Sequence, residues 1–461
     1  MFGNLEYKNI KFDFILDEKK LMLYVKEGQE KEFREEFFEV LDNGVYTYKD
    51  YQLTEQYLIG KSKENFATVV IIPKSSSANI SILSDIVTID IEYVIYINPN
   101  ESISRMTFYC KELEYIYNWE RAIENRNFKI NGEVNIELKS IEETVSNQLS
   151  YVFKDKDIKI DFALARSVGN KVVSHPIKIN SIMNCYFEST NDYIFIIELY
   201  ENIKNFIRYL CFRRNINIED CILYKNNEEN NYINIGNLKE LNDLNYADRE
   251  SILKKRYIDY EYIKGTENNI LQSLADGELY IRHLPISYSE GLHENEASFI
   301  MVTAAFEWEF KKIYKDGIPC SESTIKAKQK AQKNIECLVE NSTGKEKKIY
   351  KNLLKFISLE GFSENLKYVC NNLDEIIRPF GERLYSLNNE KLNYDEMGER
   401  LAMQRNHFAH GDLDKEFIGL SLLDLIFLKE IVYAMQLKRL GISDENIKKC
   451  INKLFNAGLA I

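Results

Sequence analysis

Apolar and polar residues alternate through the first third of the chain. Asn9-Ile10-Lys11-Phe12-Asp13-Phe14, Thr88-Ile89-Asp90-Ile91-Glu92-Tyr93 and Val134-Asn135-Ile136-Glu137-Leu138 all do so, and shorter runs of strand-forming residues stand at Ala67–Ile72 and Ser104–Tyr109. A period of two places the apolar side chains on one face of a pleated strand. Many such strands with polar connections predict an antiparallel sandwich or curved sheet. Lys31–Glu39 reads as a short helix. Strand patterning returns at Ile158–Leu164 and Lys171–Ile179.

The period then lengthens. Between Asp192 and Arg213 the apolar positions Phe195, Leu199, Ile203, Phe206, Ile207 and Leu210 fall at helical spacing. A strand is expected at Cys221–Tyr224 and a loop at Asn226–Asn231. Gly236 to Ser287 is charged and weakly periodic, which predicts an irregular, partly helical connector.

Beyond Glu290 nearly every segment is helical. Helices are predicted at Asn295–Lys315, Ser323–Val339, Lys345–Leu359, Ser363–Leu384, Asp395–Ala409, Ser421–Leu440 and Ser443–Asn456. Asp316-Gly317-Ile318-Pro319, Gly361, Gly411 and Gly441 supply stops. Ser321 or Ser323 and Ser443 supply N-caps. The chain therefore reads as an α+β multidomain protein, with a β-rich N-terminal region followed by an all-α helical bundle. We place the divisions at 1–155 (β-rich), 156–288 (an α+β continuation and connector) and 289–461 (helical).

Composition narrows the function classes. With 461 residues the chain exceeds one typical core. Its net charge of −12 means that any nucleic acid must be gripped by a local basic patch against a repelling overall field. The eight cysteines are scattered, with no CxxC pair, and read as reduced, mostly buried thiols. The first residues lack a signal-peptide pattern. The most apolar run, Leu420–Val432, is broken by Asp424, Lys429 and Glu430, so no membrane span is expected. A soluble, cytoplasmic protein with no cofactor and no metal site follows.

The chemistry concentrates in Arg405-Asn406-His407-Phe408-Ala409-His410, which holds two of the five histidines. Histidine titrates near neutrality and serves as general acid or base. Arginine offers a permanently charged fork for phosphate oxygens. On a regular helix, residues five apart lie roughly 140° apart around the axis. Arg405 and His410 therefore need a helix end, a reaching side chain or a second protomer to act together. The alternative is an Arg405 surface ion pair beside two structural histidines.

The form Arg-Asn-x-x-x-His at the end of a C-terminal helix, behind a β-rich region, resembles the signature of the HEPN superfamily, and the arrangement is similar to its ApeA-like branch. The resemblance covers roughly residues 290–461 at motif level and the front half only in architecture. It implies metal-independent RNA cleavage, by attack of an internal 2′-hydroxyl, at a composite site in a homodimer formed through the helical domain. It further implies abortive-infection defence against phage. The substrate would be cellular RNA, with tRNA a candidate, and the N-terminal region would sense a phage-derived trigger or hold the nuclease in check. Where a variant of the motif carries a tyrosine two residues past the histidine, this chain has Asp412. An Ala-x-Glu in an early helix of that family is matched by Ala305-Phe306-Glu307, so Glu307 joins Arg405, Asn406, His407 and His410 as a candidate.

Lys326, Lys330 and Lys333 recur at helical spacing, with Lys345, Lys347, Lys348, Lys351 and Lys355 after them. They are candidate RNA-backbone contacts, or a solvated helix face. Arg213-Arg214 reads either as a phosphate contact or as a helix C-terminal charge. His175 and His283 read as structural. The rival functional reading is a non-catalytic interaction module that binds a nucleotide or a protein.

Overall fold

The computed structural model describes residues 1–40, 46–49, 52–82, 84–128, 134–168, 177–227, 231–241, 255–319, 321–357, 361–409 and 417–461. The chain forms two compact units. One comprises Met1–Leu253 with Glu267–Asp276. The other comprises Lys254–Thr266 with Gly277–Ile461.

The first unit opens with β1 (Phe2–Tyr7), β2 (Ile10–Asp17), β3 (Lys20–Val25), α1 (Glu30–Phe37), β4 (Phe38–Val40), β5 (Tyr46–Tyr48), β6 (Leu58–Ser62), β7 (Thr68–Ser81) and β8 (Ile86–Ile97). The alternating pattern becomes a curved antiparallel sheet that closes on itself. Pairing runs β8-β3-β2-β1-β6-β7, and β7 returns to β8. Phe12, Phe14, Leu21, Leu23, Val69, Ile71, Val87 and Ile89 are fully buried inside this barrel. Phe33 and Phe37 of α1 close it, with the Phe33 ring edge-on to Phe12 at 6.4 Å. Closure leaves these six strands without a free edge along the ring, which removes the usual template for edge-to-edge association.

The sheet continues from β8 through β16 (Tyr232–Glu240), β15 (Asp220–Asn226), β9 (Ile103–Tyr109), β14 (Ile177–Thr190), β13 (Lys156–Val168) and β12 (Leu149–Phe153). A separate hairpin pairs β10 (Ile123–Phe128) with β11 (Val134–Leu138). One face of this extension is apolar, with Met106, Phe108, Met183, Cys185, Cys221 and Leu223 almost fully buried. The long helix α3 (Tyr193–Cys211) supplies Phe195, Leu199, Ile203 and Phe206 to the same core. It follows the short α2 (Lys111–Ile116) in chain order, is capped by Asp192 and ends at Phe212 in a left-handed conformation. Arg213 is buried against Glu112 at 2.6 Å, so this arginine is a structural partner of α2. In the segment expected to be an irregular connector, β16 is a correction. Its buried Ile235 and Leu238 stand three apart because the register shifts opposite Leu223 and Tyr224, and a bulge erases the two-residue period. The Lys171–Ile179 expectation lies largely outside the described residues.

The short α4 (Tyr260–Ile263) belongs to the second unit, while α5 (Glu267–Ala275) belongs to the first. From α5 the Gln272 side chain donates to Val152 O at 3.1 Å and accepts from Val152 N at 2.8 Å, so a side-chain amide completes the outer edge of β12.

The second unit contains α6 (Glu296–Ile313), α7 (Glu322–Asn341), α8 (Gly344–Ile357), α9 (Phe362–Asn372), α10 (Asp374–Leu387), α11 (Tyr394–Ala409), α12 (Ser421–Arg439) and α13 (Asp444–Phe455). Asn295, Ser321 and Ser443 cap α6, α7 and α13 through their side chains. The single helix expected at Ser363–Leu384 is divided at Leu373, which joins α9 to α10. Neither Gly nor Pro marks the break, and Asp374-Glu375 restart the helix with acidic residues in its first turn. Central to the unit is α12, buried on nearly every side from Phe427 to Leu437. It packs against α6, α10, α11 and α13. Among the described residues no helix is long and apolar enough to cross a membrane.

Gly236 gives a direct check on the first unit. A Cβ there would lie 1.9 Å from Tyr96 O, a backbone atom that cannot step aside. Gly236→Ala is expected to cost about 2 kcal/mol or more, measured by denaturant unfolding. An unchanged midpoint would show that the β16–β8 pairing is not as described.

Candidate active site

Helix α11 aims its side chains by what it buries. Met397, Leu401, Gln404 and Phe408 are buried at spacings of four, three and four, which keeps them on one face. The Gln404 carbonyl oxygen accepts from Ile418 N at 2.8 Å and from Ser421 Oγ at 3.0 Å, tying α11 to the start of α12. Phe408 meets Phe299 of α6 and Phe417 edge-on, at 5.4 and 5.5 Å. One turn before Gln404, Arg400 grips both oxygens of the buried Asp424, with Nε at 2.7 Å and Nη2 at 2.8 Å. The Tyr385 hydroxyl of α10 donates to the same carboxylate. Burial pushes the Asp424 carboxyl up, and the Arg400 and Tyr385 hydrogen bonds pull it back down.

Arg405 follows Gln404 and so turns about 100° off the buried stripe. Its guanidinium is 34% exposed and donates from Nη2 to Glu307 Oε2 at 2.8 Å. Glu307, 31% exposed, reaches it from α6, which buries Phe299, Thr303, Phe306 and Phe310 on the neighbouring face. The Phe362 ring of α9 lies 5.8 Å from the Arg405 guanidinium carbon. Three helices thus place one cation and one carboxylate together at the surface. The single bond to Glu307 engages one nitrogen of a group that carries five N–H donors.

Asn406 is exposed and His407 half-buried, both in the last turn of α11, whose final residue is Ala409. His410 lies outside the described residues, as do Gly411 and Asp412. Of the motif, Arg405 to Ala409 lie within α11.

Lys326, Lys330 and Lys333 are exposed on α7, a helix with no fully buried side chain that pairs with α8. Lys326 pairs loosely with Glu322 at 3.7 Å. These lysines form a basic face of their own and are not among the residues gathered around Arg405. His283 is buried and stacked on Tyr280 at 6.0 Å. Burial and the neighbouring Lys429 push its pKa down to about 3, so it is neutral at ordinary pH. His175 lies outside the described residues.

Sequence reasoning missed the ion pairs that brace the site. Besides Arg400–Asp424, Arg439 of α12 holds the buried Glu309 of α6 with Nε at 2.7 Å and Nη2 at 3.0 Å. Lys429 is paired with Glu294. The available signal was the charges inside the apolar run of α12, since charge in a core helix implies a buried partner. Comparison of the chain with family models, with curated proteins and with solved structures returns no match.

Two predictions follow from the bracing. Asp424→Asn leaves Arg400 without its charge partner and is expected to cost about 3–5 kcal/mol. Glu307→Gln, at a pair one-third exposed, should cost no more than about 1 kcal/mol. Urea unfolding of the two variants tests the contrast, and equal losses would contradict it. The second prediction concerns Glu430 of α12, buried, with Oε2 lacking a hydrogen-bond partner, and its pKa pushed by burial from 4.5 up to about 8. The folded state therefore holds this proton more tightly than the unfolded one. The contribution of Glu430 to stability is fully present below about pH 4.5 and is lost as pH rises to about 8, by a few kcal/mol in all. Glu430→Gln should abolish that part of the pH dependence, and an unaltered profile would refute it.

Proposed function

We propose that the helical unit is a metal-independent endoribonuclease of the HEPN type and that the chain acts in abortive-infection defence on cellular RNA, with tRNA a candidate substrate. The observation that carries the reading is the Arg405–Glu307 pair at 2.8 Å, one-third open to solvent, on the residue that leads the Arg-Asn-x-x-x-His motif. A purely structural arginine on this unit looks different. Arg400 and Arg439 are engaged bidentately by fully buried carboxylates, whereas Arg405 is held by one contact and keeps donors toward solvent.

In the proposed reaction an internal 2′-hydroxyl attacks the adjacent phosphorus. A base from His407 or His410 takes its proton, the bond to the 5′-oxygen breaks, and an acid returns a proton to that oxygen. The products are a 2′,3′-cyclic phosphate and a 5′-hydroxyl. Arg405 stabilises the charge that builds on the phosphoryl oxygens, Glu307 fixes the guanidinium plane, and Asn406 holds a ribose or backbone group. The helical unit would act as a homodimer in which two motifs complete one site. Lys326, Lys330 and Lys333 would track the RNA backbone, and the β-rich unit would sense a phage-derived trigger or restrain the nuclease.

The test is expression and purification of wild type, Arg405→Ala and His410→Ala, each assayed for growth arrest and for RNA cleavage in EDTA. Loss of general acid–base help predicts a drop of about 10²–10⁴-fold for His410→Ala. Arg405→Ala should cost no more than about 1 kcal/mol of stability, because its ion pair is one-third open to solvent. If both variants cleave like wild type, the reading fails and the non-catalytic module is favoured.

A further inference from the structure

In the sheet extension α3 packs on the face that carries Phe108, Cys185, Phe187 and Leu223. Alternation sends Arg105, Tyr186 and Tyr224 to the opposite face. The registers set them in one cross-strand row. Lys159 of β13 stands opposite Tyr186 of β14, Tyr186 opposite Arg105 of β9, and Arg105 opposite Tyr224 of β15. These four positions hold two cations and no carboxylate. Tyr232 of β16 joins them. The Arg105 guanidinium carbon lies 3.9 Å from the centre of the Tyr224 ring, 4.3 Å from that of Tyr232 and 5.8 Å from that of Tyr186.

Ring contacts engage the faces of a guanidinium, whereas its N–H donors lie around the edge. At that edge Arg105 makes no hydrogen bond or salt bridge among the described residues. Of its nitrogens Nε alone is buried without a partner, so the terminal pair opens to solvent. Asp161 acts on Arg105 through its charge, but its oxygens are engaged elsewhere. Asn184 Nδ2 donates to Asp161 at 2.8 Å, and the Thr107 hydroxyl donates to Asn184 Oδ1 at 2.8 Å. Tyr186 and Gln148 hydrogen-bond to the same carboxyl. Burial pushes that carboxyl up, and its hydrogen bonds and the Arg105 charge pull it back. Arg400 and Arg439 are each forked onto a buried carboxylate. Arg105 is held by rings instead and keeps its fork for an acceptor from outside.

We propose that Arg105 binds the phosphate group of a ligand on this face of the first unit. Two N–H groups side by side match two oxygens of one phosphate, in a charge-assisted pair. The tyrosine rings fix the guanidinium plane before any ligand arrives, which reduces the side-chain freedom lost on binding. Lys159, exposed and two strands away along the row, adds a second positive charge. That favours a phosphate monoester, with nearly two negative charges at neutral pH, over a carboxylate with one. The same phosphate chemistry can come from a small ester or from the backbone of a single-stranded nucleic acid. The site stands apart from the ribonuclease reading, since none of its residues belongs to the helical unit.

Calorimetric titration of the full-length chain at low salt with inorganic phosphate, phenyl phosphate, benzoate and hexathymidylate tests it. Hexathymidylate has no 2′-hydroxyl, so the proposed cleavage does not consume it. Saturable binding of a phosphate probe is expected, with a dissociation constant of roughly millimolar or tighter, the range that two charge-assisted hydrogen bonds support. Binding of the two small phosphates, with no gain for hexathymidylate, assigns the site to a phosphate ester. Much tighter binding of hexathymidylate assigns it to a nucleic-acid backbone. Arg105→Lys keeps the charge and loses the fork, and should weaken binding by about tenfold. Arg126→Ala, on the separate hairpin, should stay within about twofold, as a screened distant charge does. Because Arg105→Lys could fail to fold, the tyrosine ultraviolet difference spectrum of wild type is recorded in the same titrations. It should change saturably with phosphate, as the rings against the guanidinium report its capture. Absence of binding by wild type, a silent tyrosine spectrum, benzoate bound in preference to phenyl phosphate, or equal losses in Arg105→Lys and Arg126→Ala would each overturn the proposal.

Discussion

The geometry of the candidate site depends on the burial of one face of α11. Gln404 and Phe408 are fixed on three sides, by α6, by the start of α12 and by Phe417. The Arg400–Asp424 fork locks the rotation of the helix about its own axis. Once those residues are placed, the side chain one position past Gln404 has a single direction left to it. Arg405 is outside because Gln404 is inside, and it meets Glu307 because α6 buries the adjacent stripe. The site is thus a by-product of core packing, which makes it rigid before any ligand arrives.

The charges inside α12 belong to the same logic. On a central helix in contact with four others, Asp424, Lys429 and Glu430 fall on buried positions. Two of these are neutralised by partners, Asp424 by Arg400 of α11 and Lys429 by Glu294 just ahead of α6, and each pairing fixes a relative register that apolar contacts alone would leave loose. Glu430 is the exception, and burial keeps it protonated through neutral pH.

Much of this was legible in the sequence, and the parts that were not have identifiable causes. Period, caps and stops located the helices from Asn295 onward, because each signal is local. The break at Leu373 escaped because the apolar stripe runs on through Ile376 and Ile377, and the helix breaker that follows, Pro379, lies inside the second helix and not at the break. Strand β16 escaped because its bulge puts two buried residues three apart. Barrel closure is a property of which strand meets which, and alternation carries no information about partners. Arg405 and Glu307 were named from the chain as candidates, yet the residues that orient them were passed over as interruptions in an apolar run. His410, the remaining candidate of the motif, lies outside the described residues.

The central claim is that Arg405 and the histidines after it direct a ribose hydroxyl onto phosphorus. Mass spectrometry of the 3′ ends of RNA fragments produced by the purified chain in EDTA tests this most directly. The account predicts 2′,3′-cyclic phosphate ends with matching 5′-hydroxyls. Fragments bearing 3′-hydroxyl and 5′-phosphate ends would contradict it, because they require water or another external nucleophile in place of the internal hydroxyl.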